Sequence, residues 1–454
     1  MKIGLLPLYI KLYDDHAPSA RGRLERFYEE IASRIEAQGA TVLRSPFCRL
    51  AEEVSSAVTR FESAGADVLV TLHMAYSPSL EAIDALEGTS LPIVVLDTTE
   101  TLAFGFDASP SEIMYNHGIH GVMDLCHMMY RRGVPFAIAA GHIDSDVISR
   151  ALGLAKAALA ARALKETKLL AFGAPFAGMG DFLIPDEEMK TRFGVSVLRP
   201  SRDEVAKTAA TVSEEEIEAK QARAATRYAV GEELDPLEYR ESIRAGLALY
   251  RLLEKENANA FTFNFNSETG FPTTPFLAAS EALAEGIGYA GEGDTLTASF
   301  VRALLSAYPE TNFVEFFCPD WDARTLFLSH MGECNLRVAD GTPVLIRVKN
   351  KYAAPTNPYF PAVRMKGGNG VYVNICRQKD GFQLIVTEAE MRDVTEDRFQ
   401  DSVRGWLRVK DEVARFLEKY SEVGGTHHGI FVYGATEREM RFFAALLGMK
   451  TVTL

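Results

Sequence analysis

Apolar residues follow two rhythms along this chain, and the change of rhythm divides it. Through the first 165 or so residues, short unbroken apolar runs alternate with segments whose apolar positions recur every three to four residues. The runs IGLLPLYI (3–10), TVLRSP (41–46), DVLVTLHM (67–74), PIVVLDT (92–98) and FAIAAG (136–141) read as strands. Helices are predicted between them. Leu24, Phe27, Ile31 and Ile35 share one helical face, and Gly39 ends that helix. Further helices are predicted over 51–64, 79–87 and 111–133, and an Ala-rich one over 144–164. Continuous apolar strands separated by amphipathic helices predict a parallel sheet covered on both faces. In such sheets ligands gather at the carboxyl ends of the strands, where His73 and His142 fall.

A second α/β block begins near KLLAFGAPF (168–176). The stretch from Val212 to about Glu233 is charged and reads as a solvated helix. The next helix has Asp235 as its cap and Pro236 at its first position. FTFNF (261–265) is a strand, with helices expected over 276–286 and 294–307. From about 311 the rhythm turns strand-like: TNFVEFF, PVLIRVKN, GVYVNIC and FQLIVTE, with turns at Ala339-Asp340-Gly341 and Lys379-Asp380-Gly381. A helix opened by the box Thr436-x-x-Glu439 and a short strand KTVTL end the chain. The expected fold is α/β: two doubly wound parallel-sheet (Rossmann-like) domains, 1–165 and 166–308, then a β-rich, barrel-like C-terminal domain, 309–454.

Composition narrows the field of functions. The chain has 454 residues, 47% apolar and 24% charged, an ordinary globular make-up that excludes collagen-like and largely disordered classes. A net charge of −14 without a basic block argues against nucleic-acid and anionic-membrane binding. Five widely spaced cysteines with no CxxC read as reduced thiols of a cytoplasmic protein. Lys11, Asp14 and Asp15 interrupt the apolar N-terminus, so a first buried strand is expected there and not a signal peptide. No apolar run reaches the length of a membrane span.

Four places hold residues suited to chemistry. Gly291-Glu292-Gly293-Asp294 stands at a helix entry, where flanking glycines free a carboxylate and Asp294 is the expected cap. Glu315 lies in an apolar strand, either buried with a partner or facing solvent at a sheet edge. His330 stands in Ser329-His330-Met331, where a histidine alone is more often structural. His427 and His428 follow a double glycine ahead of the strand IFVY, and alternation predicts that only one of them enters a given site. Their wide separation leaves open whether these residues meet. Two carboxylates and two imidazoles together would suit a divalent ion of intermediate hardness such as Mn²⁺ or Co²⁺.

In order along the chain, TLHMAYSP (71–78), NHGIHG (116–121), AAGHIDSDV (139–147), RFGVSV (192–197), GIGYAGEGDTLTAS (286–299), FLSHMGEC (327–334) and GGTHHGIF (424–431) resemble blocks of the L-arabinose isomerase and L-fucose isomerase superfamily, on its arabinose-isomerase side. The resemblance implies a divalent metal, Mn²⁺ first and Co²⁺ or Mg²⁺ as alternatives, held by Glu292, Glu315, His330 and His428. It implies Glu292 and Glu315 as the acid/base pair, and His73, His120 and His427 as substrate-binding residues. The implied activity is aldose–ketose isomerisation of an open-chain sugar through an enediolate. The implied assembly is a homo-oligomer with active sites at subunit interfaces. Departures fall near the sugar: Glu315 is followed by Phe316, Phe317 and Cys318 where the family has Asp-Tyr-Thr-Tyr, the early GSQHLYG block survives only as YIKLYDD, and Trp321 and Trp406 are the only tryptophans. The alternatives are isomerisation of a deoxy, sulfonated or branched sugar, a metal-dependent lyase or epimerase starting from the same enediolate, and a non-catalytic sugar-binding protein on this scaffold.

Overall fold

The computed structural model describes residues 1–230 and 234–454, which fall into two compact units, Met1–Leu159 and Ala160–Leu454. In the first unit, β1 (Lys2–Leu8), β2 (Thr41–Arg44), β3 (Val68–His73), β4 (Ile93–Asp97) and β5 (Phe136–Ala140) form one parallel sheet in the order β2-β1-β3-β4-β5. The strands are the apolar runs read from the sequence. β3 is buried along its whole length, as a sheet covered on both faces requires. Helix Arg21–Ala37 buries Leu24, Phe27, Ile31 and Ile35, the face its spacing predicted. The predicted helix over 111–133 is interrupted at His117, between Ile113–Asn116 and Gly118–Arg132.

The second unit joins a parallel sheet to a barrel. β6 (Lys168–Phe172), β7 (Ser196–Leu198), β8 (Ala229–Val230), β9 (Ala260–Phe263) and β10 (Gly288–Gly291) come first along the chain. Four of them pair in parallel in the order β10-β9-β6-β7. Helix Thr295–Leu305 packs on this sheet with almost every residue buried, which explains why its sequence lacks a polar stripe. The charged stretch from Val212 is a helix over Glu214–Ala224, while 231–233 lie outside the described residues.

The remaining strands are β11 (Thr311–Asp320), β12 (Thr325–Ser329), β13 (Val344–Arg347), β14 (Tyr359–Ala362), β15 (Gly368–Gln378), β16 (Gly381–Met391), β17 (Gly405–Val409), β18 (His428–Tyr433) and β19 (Lys450–Thr453). Six of them close into an antiparallel barrel, β15-β18-β11-β12-β17-β16 and back to β15, with β19 added in parallel on β16. The β15–β16 hairpin turns through Lys379-Asp380 with Gln378 opposite Gly381, as the turn residues predicted. PVLIRV departs from expectation. It is β13, and it leaves the barrel to pair with β14 and, in parallel, with β8. All five cysteines are free, and among the described residues no helix is long and apolar enough to cross a membrane.

Candidate active site

Four local structures of the second unit deliver side chains to one point. The carboxyl end of β10 runs into Gly291-Glu292-Gly293, then into helix Thr295–Leu305. Glu292 has φ 64°, a conformation unusual for a residue with a Cβ and costing about 1–3 kcal/mol. Glycine at 291 leaves room for the imidazole, because a Cβ there would lie 2.5 Å from His330 Cε1 and push that ring aside. A Cβ on Gly293, at φ 87°, would meet Pro175 Cα at 2.7 Å. The chain is therefore bent and thinned so that Glu292 projects beside His330.

The barrel supplies the rest. β11 is flanked by β18 and β12, so Glu315 stands opposite His428 on one side and Ser329 on the other, with His330 next in the chain. Glu315 is thus in the barrel wall and not at a solvent-facing edge. His427 lies in a bend one residue before β18, outside the strict alternation of a strand. Both histidines consequently reach the site, with ring centroids 4.2 Å apart, against the expectation that only one would.

Side-chain donor atoms of Glu292, Glu315, His427 and His428 all lie within 4.8 Å of one another. His428 Nε2 is 2.9 Å from Glu315 Oε1 and 3.6 Å from Glu292 Oε2. His330 adjoins this set, its Nε2 3.6 Å from Glu315 Oε1. Each imidazole is gripped from behind by a carboxylate at Nδ1: His330 by Glu333 at 2.6 Å, His428 by Asp294 at 2.8 Å and His427 by Asp181 at 2.6 Å. Tyr289 donates in turn to the other oxygen of Glu333. A carboxylate holding Nδ1–H leaves the Nε2 lone pair directed forward, the arrangement typical of histidine metal ligands.

The Nε2 atoms of His330 and His428 are buried and make no hydrogen bond. His428 Nε2 approaches Glu315 out of line for one. Two buried, unpartnered imidazole nitrogens beside two carboxylates are costly unless something between them is coordinated. This mixed N/O set fits a divalent cation of intermediate hardness.

The charges are strongly coupled. Burial alone would raise Glu292, but the hydrogen-bonding His427 and the nearby imidazole of His428 hold it down at about 2. Glu315 is likewise burdened by burial, yet lowered by His330 and His428. Against the opposing effect of burial, Asp181 and Glu292 raise His427 to about 9. Asp294, Glu292 and Glu315 raise His428 against the same opposition.

His73 and His120 belong to the first unit. His73 ends β3 and is buried, with no hydrogen bond to either ring nitrogen, and burial pushes it down to about 4. It seats the start of helix Gly118–Arg132: a Cβ on Gly121 would lie 2.5 Å from His73 Cδ2, and one on Gly118 2.4 Å from the His73 carbonyl oxygen. His120 is exposed on that helix, its Nδ1 2.8 Å from His117 Nε2 and its ring 5.0 Å from Tyr76.

Sequence reasoning missed the carboxylates behind the rings. Asp294 was expected only as a helix cap; it does cap, accepting from the Thr297 N–H at 2.8 Å, and it also holds His428. The i, i+3 spacing of His330 and Glu333 was a readable signal for that pair. Asp181, 246 residues from His427, left no such trace.

Comparison with known proteins gives a consistent result. The family model described as L-arabinose isomerase central domain matches residues 186–307, and the one described as L-arabinose isomerase C-terminal domain matches 310–450. The L-arabinose isomerase of Shouchella clausii is 23% identical over 99% of this chain and 93% of its own length. Those of Nocardioides sp. and Shewanella sp. are 26% and 25% identical, covering 85% and 98% of this chain and 79% and 91% of their own. A solute-binding protein from Agrobacterium vitis, described as bound with α-D-tagatopyranose, aligns with 68% of this chain and 89% of its own at 12% identity, but its TM-score of 0.16 bears on nothing here.

Proposed function

The chain belongs to the L-arabinose isomerase family of aldose–ketose isomerases, and from that premise we propose that it is a metal-dependent isomerase of an open-chain sugar. The observation that carries this reading is the pair of buried, unpartnered Nε2 atoms of His330 and His428 facing Glu292 and Glu315. These four residues would hold the ion, Mn²⁺ first and Co²⁺ or Mg²⁺ as alternatives. When bound, the ion supplies Lewis-acid polarisation of the sugar's neighbouring oxygens.

The chain's own residues do the proton work. Of Glu292 and Glu315, one removes the proton at C2 and returns it at C1, and the other moves protons among the oxygens. Both are held ionised by the imidazoles around them. The strained backbone of Glu292 keeps its carboxylate in the site before substrate arrives. Phe313, Phe182 and His428 are buried and form an apolar-backed wall on one side of the carboxylates.

We assign the substrate contacts to His427 and to His120, the latter reaching the site of a neighbouring copy in a homo-oligomer, with His73 seating the helix that carries it. Three domains at 1–165, 166–308 and 309–454 and a cytoplasmic location complete the proposal. Phe316 packs at 4.3 Å against Tyr372, while Phe317 is exposed. An exposed phenylalanine two residues beyond Glu315 favours a less polar, modified sugar as the second reading. A metal-supplemented screen of aldoses and ketoses tests both. Interconversion of a plain pentose or hexose supports the first, and turnover confined to a deoxy or branched sugar supports the second. Tight sugar binding with no proton exchange at C1 or C2 would instead mark a non-catalytic binder.

A further inference from the structure

The three imidazoles of the site are not equivalent. His330 and His428 are sealed, with side chains 1% and 0% exposed and backed by carboxylates that are themselves fully buried. His427 and its carboxylate Asp181 are each 37% exposed. Asp181 comes from the coil between β6 and helix Asp186–Phe193, and this coil lies over the site. Three contacts fix it there. The Phe176 N–H donates to the Glu292 carbonyl at 2.9 Å. The Phe182 ring stacks on His428, centroids 5.0 Å apart and planes within 11°, and lies 5.6 Å from His427. A single Asp181 oxygen accepts from both the His427 backbone N–H at 3.0 Å and its Nδ1–H at 2.6 Å.

That double grip restrains the ring of His427. The backbone bond fixes the residue and the Nδ1 bond fixes the face of the ring. Nε2 is then aimed into the gap between the carboxylates, 3.5 Å from Glu292 Oε2 and 3.8 Å from Glu315 Oε1. It is the one imidazole of the three that a ligand entering from solvent can touch.

We infer that Asp181 is a positioning residue of the active site, which holds His427 so that its Nε2 hydrogen-bonds a sugar oxygen beside the two glutamates. This rests on the isomerase reading above. His427 then serves the substrate, while the ion is left to the sealed pair and the glutamates. The coil that carries Asp181 also carries Phe182, so one segment roofs His428 and orients His427.

The test compares Asp181→Asn and Asp181→Glu with the unaltered full-length protein. Asparagine keeps the size and an oxygen that can still accept, but it is uncharged, so it holds the Nδ1–H of His427 less strongly than the carboxylate does. We expect Asp181→Asn to lower kcat about 10–100-fold, a loss of the size seen when an imidazole loses its orienting partner. KM should change less, Mn²⁺ affinity measured by titration should stay within about twofold, and Asp181→Glu should recover part of the loss. In ¹⁵N-histidine-labelled protein, the hydrogen-bonded Nδ1–H signal of His427 should shift upfield in Asp181→Asn as the bond weakens; His427→Gln identifies that signal. Unchanged kcat with an unchanged ring signal would overturn the inference. So would a fall in Mn²⁺ affinity parallel to kcat, which would make His427 a ligand of the ion. If the unaltered protein isomerises no sugar at all, the isomerase reading fails by itself. The ring signal then still decides whether Asp181 positions His427.

Discussion

His73 and His428 are both buried imidazoles at an end of a strand, and they behave in opposite ways. His73, at the end of β3 in the first unit, has no hydrogen bond at either ring nitrogen, and burial pushes it down to about 4. His428, at the start of β18 in the second, has Asp294 behind it and Glu292 and Glu315 before it, which raise it in spite of burial. Position in the fold does not separate them. The carboxylate does: where one holds Nδ1, the ring has a fixed tautomer and a forward-facing Nε2; where none does, the ring is a neutral filler beneath two glycines.

The comparison can be broken most forcefully at the glutamates. Glu292→Gln and Glu315→Gln keep the shape and remove the charge that faces His428. Each should lose about 10²–10⁴-fold in kcat, with far-UV circular dichroism unchanged. Retained turnover in either variant would remove that residue from the proton work.

The next largest effect concerns the other histidine. The pKa of His73 is about 4 in the folded chain against 6.5 ordinarily. Between those values the unfolded chain binds the extra proton, so stability rises with pH over that window. The contribution is complete above about 6.5 and is lost as pH falls toward 4, amounting to about 3 kcal/mol. Urea unfolding of the full chain from pH 7 to pH 4, compared with His73→Leu, measures it. The leucine variant should lack that part of the slope, and identical slopes would show that burial does not set the state of His73.

A smaller effect should follow from loosening a carboxylate grip. Glu333→Gln leaves His330 in place but without its anionic partner, and should weaken Mn²⁺ binding about 10–100-fold while the chain stays folded. Unchanged affinity would mean that Glu333 and Tyr289 are only packing. The mildest change is Gly291→Ala. Its methyl would fall 2.5 Å from His330 Cε1, so it should shift that ring and weaken the ion somewhat less than Glu333→Gln.

Much of this was readable in the sequence, for a definite reason. Continuous apolar runs and three-to-four spacing are local signals, so both parallel sheets, the helix entry at Asp294 and the β15–β16 hairpin follow directly from them. The double glycine before His427-His428 and the glycines around Glu292 marked those residues locally, but Glu315 and His330 were picked out only through the family resemblance, since a lone strand glutamate and a lone histidine carry no local signal. What is nonlocal was not readable. β13 leaves the barrel to pair with β14 and with β8, and β8 lies more than a hundred residues earlier in the chain, so nothing near PVLIRV marks the departure. The three-residue β7 and two-residue β8 are too short for any periodicity. Asp181 and Asp294 become partners of histidines only when the parallel sheet meets the barrel, and no spacing along the chain announces that.

The central claim is that Glu292, Glu315, His330 and His428 make an ion-dependent site for sugar isomerisation. The most direct measurement strips the protein of metal, verifies the depletion, and incubates it with aldoses and ketoses in deuterium oxide with and without Mn²⁺. The sugar is then recovered for its NMR spectrum. Interconversion with deuterium at C1 or C2 is expected only when Mn²⁺ is restored, and none in Glu292→Gln. Full turnover by the metal-free protein would contradict it.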